Sequence, residues 1–254
     1  MTVCLVASLP GVVVAAADTR ITLHHSGDQV HVHDGPLDLR VDVASLGRTV
    51  VMPYPYRKLR YLGGGWAVVA GEFASGTLVL DELRQATAST FEQARDRLLQ
   101  ARTALEARAR ESTGVAPAQL RETVVLGAAL NSGQGVWSLG LDPSDPRTKA
   151  SVGDYAVNFP NDVPIAVKEQ ASRIFEAELL AAHSSQNAIG FVTAAARLIH
   201  AAAPFSASVS QRVQIGVTVT DPTGGHVARY FDGSTIEVLG FMPFNFFPAS
   251  ESAA

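Results

Sequence analysis

The chain has 254 residues, a formal net charge of −4 and a 47% share of hydrophobic residues. Its length fits one large domain or two small ones, and its modest, dispersed charge gives no reason to expect a nucleic-acid or anionic-membrane partner. The single cysteine, Cys4, excludes an internal disulfide and is typical of a reducing compartment, so we expect a cytoplasmic protein. We find no apolar run of the about 18 residues that a membrane span needs.

The first twenty residues, MTVCLVASLPGVVVAAADTR, consist of two apolar runs separated by Pro10-Gly11. A Pro-Gly pair between apolar runs is typical of a tight turn, so we predict a β-hairpin here. Residues 2–8 and 12–17 are continuously apolar rather than alternating, which indicates strands covered on both faces. A signal peptide would need an early positive region, but the first basic residue is Arg20.

Thr2 is a candidate nucleophile because its position allows it to carry a free α-amine. A small residue after Met normally permits removal of Met1, which would leave a hydroxyl and an amine on one residue. An α-amine titrates at about 7.7–8.0, so it accepts a proton near neutral pH. The predicted hairpin returns Asp18 and Arg20 to the side of Thr2. A Met-Thr start is also common in proteins without enzymatic activity.

Within the segment 22–55, the run QVHVHDGPLDLRVDVAS alternates between apolar and polar residues on both sides of Asp34-Gly35-Pro36, which predicts a second, more exposed hairpin. Histidines cluster in this segment, and the alternation places the last two on one strand face. A metal site is conceivable there, but no cysteine or helical histidine pair joins the cluster. We therefore expect no metal ion and no cofactor. The four histidines are His24, His25, His31 and His33.

Residues 57–70 predict a strand, a glycine turn and a second strand. Most of the 20 basic residues in the chain are arginines, which makes Lys58 unusual in this segment. Lysine is a compact charge whose pKa shifts readily on burial, so it suits a nucleophile's partner better than arginine does. The alternative is a solvated lysine at a strand start. Gly71 ends the second strand before a helix, where backbone N–H groups form either an oxyanion hole or a simple turn.

The remaining sequence predicts two helices, two strands, two helices and two strands. The first helices cover 77–87 and about 90–111, and the strands that follow cover 122–130 and 135–141. A Gly-containing loop at 151–155 leads to a helix that starts near Asn161-Asp162, with Pro164 in its first turn. A further helix covers about 185–203, and strands at 213–220 and 226–232 form a closing hairpin.

Both later helices carry an apolar stripe that predicts a buried face. The element order predicts an α+β protein, a four-layer αββα sandwich of two antiparallel sheets with a helix pair on each outer face. The stripe of the first helix comprises Val167, Ala171, Ile174, Phe175 and Leu179, and that of the second comprises Ile189, Val192, Ala196 and Ile199.

Several of these segments together resemble the proteasome β-subunit superfamily of N-terminal nucleophile hydrolases. They are Thr2, the run GVVVAAADTR that ends at Arg20, the triplet Arg57-Lys58-Leu59, and AVVAG, which ends at Gly71. The helix TLVLDELRQ also looks like the first helix of the family. The opening MTVC and the DTR triplet are similar to the Anbu branch, and the lysine-to-helix stretch is equally similar to the HslV branch.

The resemblance implies a threonine-type peptidase that attacks peptide bonds with Thr2 and uses the α-amine of the same residue as general base. Lys58 would then lower the proton affinity of the hydroxyl, and Asp18 would hold and orient Lys58. Arg20 would brace the loop around Asp18, and the Gly71 N–H would stabilise the oxyanion.

The resemblance also implies an assembly and a domain plan. One domain would cover residues 1–240, with an inserted hairpin at about 24–56 and a tail at 241–254. Like subunits would assemble into a ring or an open helix that takes peptide or protein substrates. An ATPase unfoldase is a further partner that the resemblance suggests.

Two later motifs of the family are incomplete in this sequence. The family places a serine in a Gly-rich loop, where the nearest hydroxyl here is Ser151. It also places an Asp and a Ser before the penultimate strand, where PFSASVSQRV offers Ser208 or Ser210 and no Asp. The alternatives are a small-amide hydrolase with the same Thr2 chemistry, a catalytically silent scaffold subunit, and a binding module unrelated to this fold.

Overall fold

The computed structural model contains two large antiparallel sheets, and the two long described helices pack on one of them. Only the backbone is described for residues 21–24, 29–34, 37–42, 49–52, 129 and 247–248. In total the described residues are 2–24, 29–34, 37–42, 49–52, 57–62, 64–71, 93, 96, 124–129, 135–140, 149, 153–221, 223–240 and 247–248.

The described strands are numbered in chain order. They are β1 (Cys4–Leu9), β2 (Val12–Asp18), β3 (Ile21–His24), β4 (Gln29–Asp34), β5 (Leu37–Asp42), β6 (Thr49–Met52), β7 (Leu59–Tyr61), β8 (Gly65–Ala70), β9 (Val124–Ala129), β10 (Val136–Gly140), β11 (Tyr155–Asn158), β12 (Arg212–Thr220), β13 (His226–Ser234) and β14 (Phe247–Pro248). The helices are α1 (Ile165–Ser184), α2 (Ala188–Ala202) and α3 (Thr235–Leu239), and a 3₁₀ turn covers Ala203–Phe205.

Two antiparallel sheets form the body of the molecule. The first sheet has the strand order β11-β1-β2-β12-β13-β14, and the second has the order β10-β9-β8-β7. The predicted hairpin at the start of the chain is β1–β2, and Gly11 has a φ of +76°, a backbone conformation that glycine adopts without steric cost. The predicted α+β class with two antiparallel sheets is therefore confirmed.

The continuous apolar runs of β1 and β2 are explained by burial on both faces. Leu5 of β1 and Val14 and Ala16 of β2 belong to the core shared with α1 and α2. Val6 of β1 and Val13 of β2 belong to the core shared with the second sheet. Because alternate side chains point to opposite faces of a strand, a strand buried on both faces needs an apolar residue at every position.

The helices α1 and α2 pack against each other, and α2 also packs on β2 and β12. The predicted apolar stripes are mostly correct, since Ala171, Phe175 and Leu179 of α1 are buried. The prediction is wrong for Ile174 and Ile189, which are 41% and 51% exposed. The described stretch Ala188–Phe205 is also long and apolar enough to cross a membrane, contrary to expectation, but its buried side chains belong to the core.

Other predictions fall on segments described in part or not at all. The strand β11 begins at the last residue of the loop predicted at 151–155 and continues through residues for which no element was predicted, and α3 was not predicted either. The helix predicted at 77–87 lies outside the described residues. Of the helix predicted at about 90–111, only Gln93 and Asp96 are described, and both are helical. One of the two outer helix pairs therefore remains a prediction.

The segment predicted as an exposed hairpin contains two nested strand pairs. Strand β4 pairs with β5 across residues 35–36, and β3 pairs with β6. His31 and His33 alternate along β4 as predicted, opposite Arg40 and Asp38. Histidine side chains in this segment are outside the described part, and His25 is not described, so the metal hypothesis stays untested.

Candidate active site

The turn of the β1–β2 hairpin places Thr2 beside the end of the returning strand. The Val3 N–H donates to Asp18 Oδ2 at 3.1 Å, and the Asp18 N–H donates to the Val3 carbonyl at the same distance. Asn158, at the end of β11, donates its Nδ2 to the Thr2 carbonyl at 3.1 Å. Thr2 is 5% exposed, so its hydroxyl lies in a largely desolvated environment.

The side chain of Lys58 enters this environment from the second sheet. Lys58 immediately precedes β7, and its Nζ donates to Thr2 Oγ1 and to the Arg20 carbonyl. It also lies 3.6 Å from Asp18 Oδ2. An ammonium group has three N–H donors; two of them have hydrogen-bond acceptors here, and the Asp18 carboxylate lies at ion-pair distance. The arrangement suits a protonated lysine whose charge is directed at the Thr2 hydroxyl.

The carboxylate of Asp18 is surrounded by donors. Oδ2 accepts the Val3 N–H and faces Lys58, while Oδ1 accepts the N–H groups of Arg20 at 2.9 Å and Ser210 at 3.3 Å. An ionised carboxylate offers about four acceptor positions; three accept backbone N–H groups, and Oδ2 also forms the ion pair with Lys58. Because a protonated carboxyl would direct a hydrogen at one of these donors, the contacts favour the ionised form.

Burial and charge oppose each other in this pair. Desolvation raises the pKa of Asp18 and lowers the pKa of Lys58, and the attraction between the two groups counteracts both shifts. Desolvation also raises the pKa of the neighbouring Cys4 thiol to about 12. Cys4 is therefore a buried thiol at neutral pH and not a thiolate nucleophile.

Arg20 contributes to the site mostly through its backbone. Its N–H binds Asp18 and its carbonyl accepts from Lys58, whereas its guanidinium Nη1 donates to the Ala207 carbonyl at 2.8 Å. The side chain thus ties the end of the hairpin to the segment 206–210. That segment also supplies the Ser210 N–H to Asp18.

The structure distinguishes two of the three candidate serines. The Ser210 hydroxyl donates to the Arg212 carbonyl at 2.8 Å and lies 3.3 Å from the Thr19 hydroxyl, so Ser210 belongs to the site's surroundings. The Ser208 hydroxyl instead contacts Ser206 Oγ at 2.7 Å. Ser151 lies outside the described residues.

A carboxylate reaches the segment 206–210 from elsewhere in the chain. The Ser206 hydroxyl, in a residue only 4% exposed, donates to Asp162 Oδ2 at 2.9 Å. Asp162 precedes α1, about forty residues before Ser206, so a motif search around the penultimate strand cannot find it. The segment 206–210 contains no Asp, but it hydrogen-bonds to the carboxylate of Asp162.

Gly71 lies at the Lys58 end of the β7–β8 pair. The Val69 N–H donates to the Lys58 carbonyl at 3.2 Å, and Gly71 follows two residues later with a φ of +120°. A side chain is rarely compatible with this conformation. The backbone of Gly71 is therefore at the edge of the second sheet from which Lys58 reaches Thr2.

Two polar residues in contact with the site were not predicted. Asn158 was missed because no strand was predicted between the loop at 151–155 and the helix that follows it. Gln214, in the middle of β12, accepts the Lys58 N–H at 2.9 Å and was hidden in an otherwise ordinary strand pattern. The available signal was its buried position between apolar neighbours, which requires hydrogen-bond partners.

No protein-family model and no curated protein matches the sequence. Among solved structures, the chain is similar to BPH from Thiobacillus denitrificans in complex with Epoxomicin, with 13% identity, a TM-score of 0.46, and coverage of 87% of this chain and 100% of that one. It is also similar to an Anbu (Gly-1) mutant from Hyphomicrobium sp. strain MC1, with 14% identity, a TM-score of 0.49, and coverage of 95% of this chain and 93% of that one. A third similar structure is eukaryotic HslV from Trypanosoma brucei, with 12% identity, a TM-score of 0.41, and coverage of 85% of this chain and 98% of that one.

Proposed function

We propose that this protein is a threonine-type peptidase of the N-terminal nucleophile kind, which cleaves peptide bonds through Thr2 after removal of Met1. The observation that carries the proposal is the set of contacts made by Lys58 Nζ with Thr2 Oγ1, the Asp18 carboxylate and the Arg20 carbonyl. A buried cation aimed at a hydroxyl favours loss of the hydroxyl proton, which is what an oxygen nucleophile needs.

The first half of the reaction would form an ester on Thr2. The α-amine of Thr2 accepts the hydroxyl proton through a water molecule, and Oγ1 attacks the substrate carbonyl carbon. The carbonyl oxygen becomes an oxyanion, for which the Gly71 N–H is the proposed donor. The carbon–nitrogen bond then breaks, and the leaving amine takes up the proton held by the α-amine.

The second half would regenerate the enzyme. A water molecule transfers a proton to the α-amine as it attacks the ester carbonyl, and the acyl group leaves as a carboxylic acid. Thr2 Oγ1 recovers its proton. Throughout the cycle Asp18 compensates the charge of Lys58, and Lys58 stabilises negative charge on Oγ1.

We further propose that the protein acts in the cytoplasm as an assembly of like subunits, a ring or an open helix, that takes peptide or protein substrates. An ATPase unfoldase that feeds the assembly is part of the same proposal. These statements are supported by the sequence resemblance and are tested separately, by sedimentation of the purified protein and by affinity capture of an ATPase.

The decisive experiment is intact-mass measurement before and after treatment with an electrophile that reacts with a hydroxyl and an α-amine on the same threonine. We expect loss of Met1, followed by one adduct. Thr2→Ala should take none, and the matched variant Thr193→Ala, on α2, should take one like the wild type. A chain that has lost Met1 and takes no adduct would contradict the proposed nucleophile and favour the scaffold alternative.

A panel of fluorogenic peptides and small amides then identifies the substrate class. Cleavage of peptides that disappears in Thr2→Ala would support the peptidase. Turnover of small amides without cleavage of any peptide would overturn the peptidase assignment while retaining Thr2 as the nucleophile.

A further inference from the structure

The strand β12 faces the helices with one set of side chains and the second sheet with the other. Val213, Ile215 and Val217 belong to the core formed with α1 and α2. The intervening positions carry different chemistry. Gly216 allows close approach of the Trp66 ring, and Thr218 Oγ1 accepts the Trp66 indole N–H at 2.8 Å. The third of these positions, Gln214, therefore lies on the face towards the second sheet.

Gln214 connects the two sheets at the level of the candidate active site. The residue is 1% exposed, its Oε1 accepts the Lys58 N–H at 2.9 Å, and its Nε2 lies 3.4 Å from Asp232 Oδ2 on β13. Both partners require the same amide orientation, because a backbone N–H needs an oxygen and a carboxylate needs an N–H. Asp232 is in turn held by the Arg212 guanidinium at 2.9 Å.

The backbone of Lys58 is thereby fixed on both sides. Its N–H is held from the first sheet by Gln214, and its carbonyl accepts from Val69 within the second sheet. The acceptors of its side chain belong to residues of the first sheet or next to it, namely Thr2, Asp18 and Arg20. The approach of Lys58 Nζ to the Thr2 hydroxyl therefore depends on how the start of β7 is held against the first sheet.

We propose that Gln214 is a positioning residue that sets the reach of Lys58 to Thr2, with Asp232 fixing the orientation of the Gln214 amide. The inference rests on the proposed function, since it concerns the reactivity of Thr2. It assigns Gln214 no contact with substrate. A displacement of about 1 Å within a catalytic arrangement can cost roughly a hundredfold in rate, so a loss of this link should appear in the chemical step.

The test compares Gln214→Met with Thr218→Val. Gln214→Met retains the approximate length of the side chain and removes both hydrogen bonds. Thr218→Val removes another hydrogen bond between β12 and the second sheet, at a buried site four residues away. We expect both variants to lower Tm, but only Gln214→Met to slow the adduct formation on Thr2, by roughly tenfold to a hundredfold, with kcat reduced and KM little changed.

Restoration of the amide pairing provides a second test. Gln214→Glu retains an oxygen for the Lys58 N–H but opposes the Asp232 carboxylate with another carboxylate, so adduct formation should slow. Combining it with Asp232→Asn supplies an N–H donor in place of the opposing carboxylate. We expect the combined variant to recover much of the rate that Gln214→Glu loses.

Hydrogen exchange at the Lys58 amide gives a readout that does not need activity. Gln214→Met should exchange this amide faster than the wild type, and Thr218→Val should not. Unchanged adduct formation and unchanged exchange in Gln214→Met would overturn the inference, as would an equal loss of rate in Thr218→Val. If the wild type takes no adduct, the proposed function fails, and exchange at Lys58 alone decides whether Gln214 holds this backbone.

Discussion

Lys58 Nζ lies 3.6 Å from Asp18 Oδ2, and the two side chains are 6% and 0% exposed. The pair joins the two sheets, since Asp18 ends β2 and Lys58 precedes β7. Removing both charges from water is costly, and the attraction between them offsets that cost only while both are present. The pair is therefore better explained by its contact with Thr2 than by a gain in stability.

This relationship predicts a strong coupling between substitutions at the two positions. Asp18→Asn and Lys58→Met should each lower the free energy of unfolding by about 3–5 kcal/mol, because each leaves one buried charge uncompensated. The double variant should lose less than the sum of the two, with a coupling of about 1–3 kcal/mol. Urea unfolding of the four proteins measures this cycle, and strict additivity would contradict the prediction.

The lowered pKa of Lys58 predicts opposite pH dependences for activity and stability on the alkaline side. The folded protein releases the Lys58 proton as the pH rises through the lowered pKa, whereas the unfolded chain retains it up to about pH 10.4. In that window the unfolded state binds more protons, so the contribution of Lys58 to stability rises with pH. Activity should fall over the same window because the ammonium is lost.

The decline in activity is measured as the rate of adduct formation on Thr2 at increasing pH. The contribution of Lys58 to stability is measured as the difference in urea unfolding midpoint between the wild type and Lys58→Met over the same pH range. We expect the decline to begin below the usual lysine range. A rate that stays level up to about pH 10.4 would show that the Lys58 proton is held as in water.

Packing between the sheets yields a prediction at Gly216. A Cβ at this position would lie 2.4 Å from Cδ2 of the Trp66 ring, so Gly216→Ala must displace a fully buried indole. Overpacking of this kind typically costs about 1–3 kcal/mol. Trp66→Leu should relieve the clash, so the double variant should be more stable than the sum of the single losses predicts. Additive losses in thermal or urea unfolding would argue against the clash.

The sequence was most informative where one local pattern had one physical explanation. Continuous apolar runs around Pro10-Gly11 predicted a hairpin covered on both faces, and the structure has β1–β2 in that environment. Lys58 could be predicted as a site residue because most of the basic residues in the chain are arginines. The juxtaposition of Lys58 with Thr2 could not follow from spacing alone, since it depends on how two separate sheets stack.

The errors also have physical causes. Ile174 and Ile189 continue the apolar periodicity of α1 and α2, respectively, but both are exposed. For Ile174 the reason is that α1 packs mainly on α2, so the buried stripe of α1 is narrow. The strand β11 has only four residues and follows Gly153-Asp154, which is typical of a turn, so its pairing with β1 rather than its local sequence establishes it as a strand. Asp162 reaches Ser206 through tertiary structure, which no local motif encodes.

Asn158 provides the last prediction, because it is the described side chain that holds the Thr2 carbonyl. Asn158→Ala should free the Thr2 peptide from β11 and slow adduct formation by roughly tenfold, since the nucleophile would sample more orientations. The matched control is Asn187→Ala, which removes the N-cap bond to the Ile189 N–H at the start of α2. That loss should cost about 1 kcal/mol of stability and leave the rate of adduct formation unchanged. Equal rates in the two variants, measured by intact mass over time, would remove Asn158 from the positioning of Thr2.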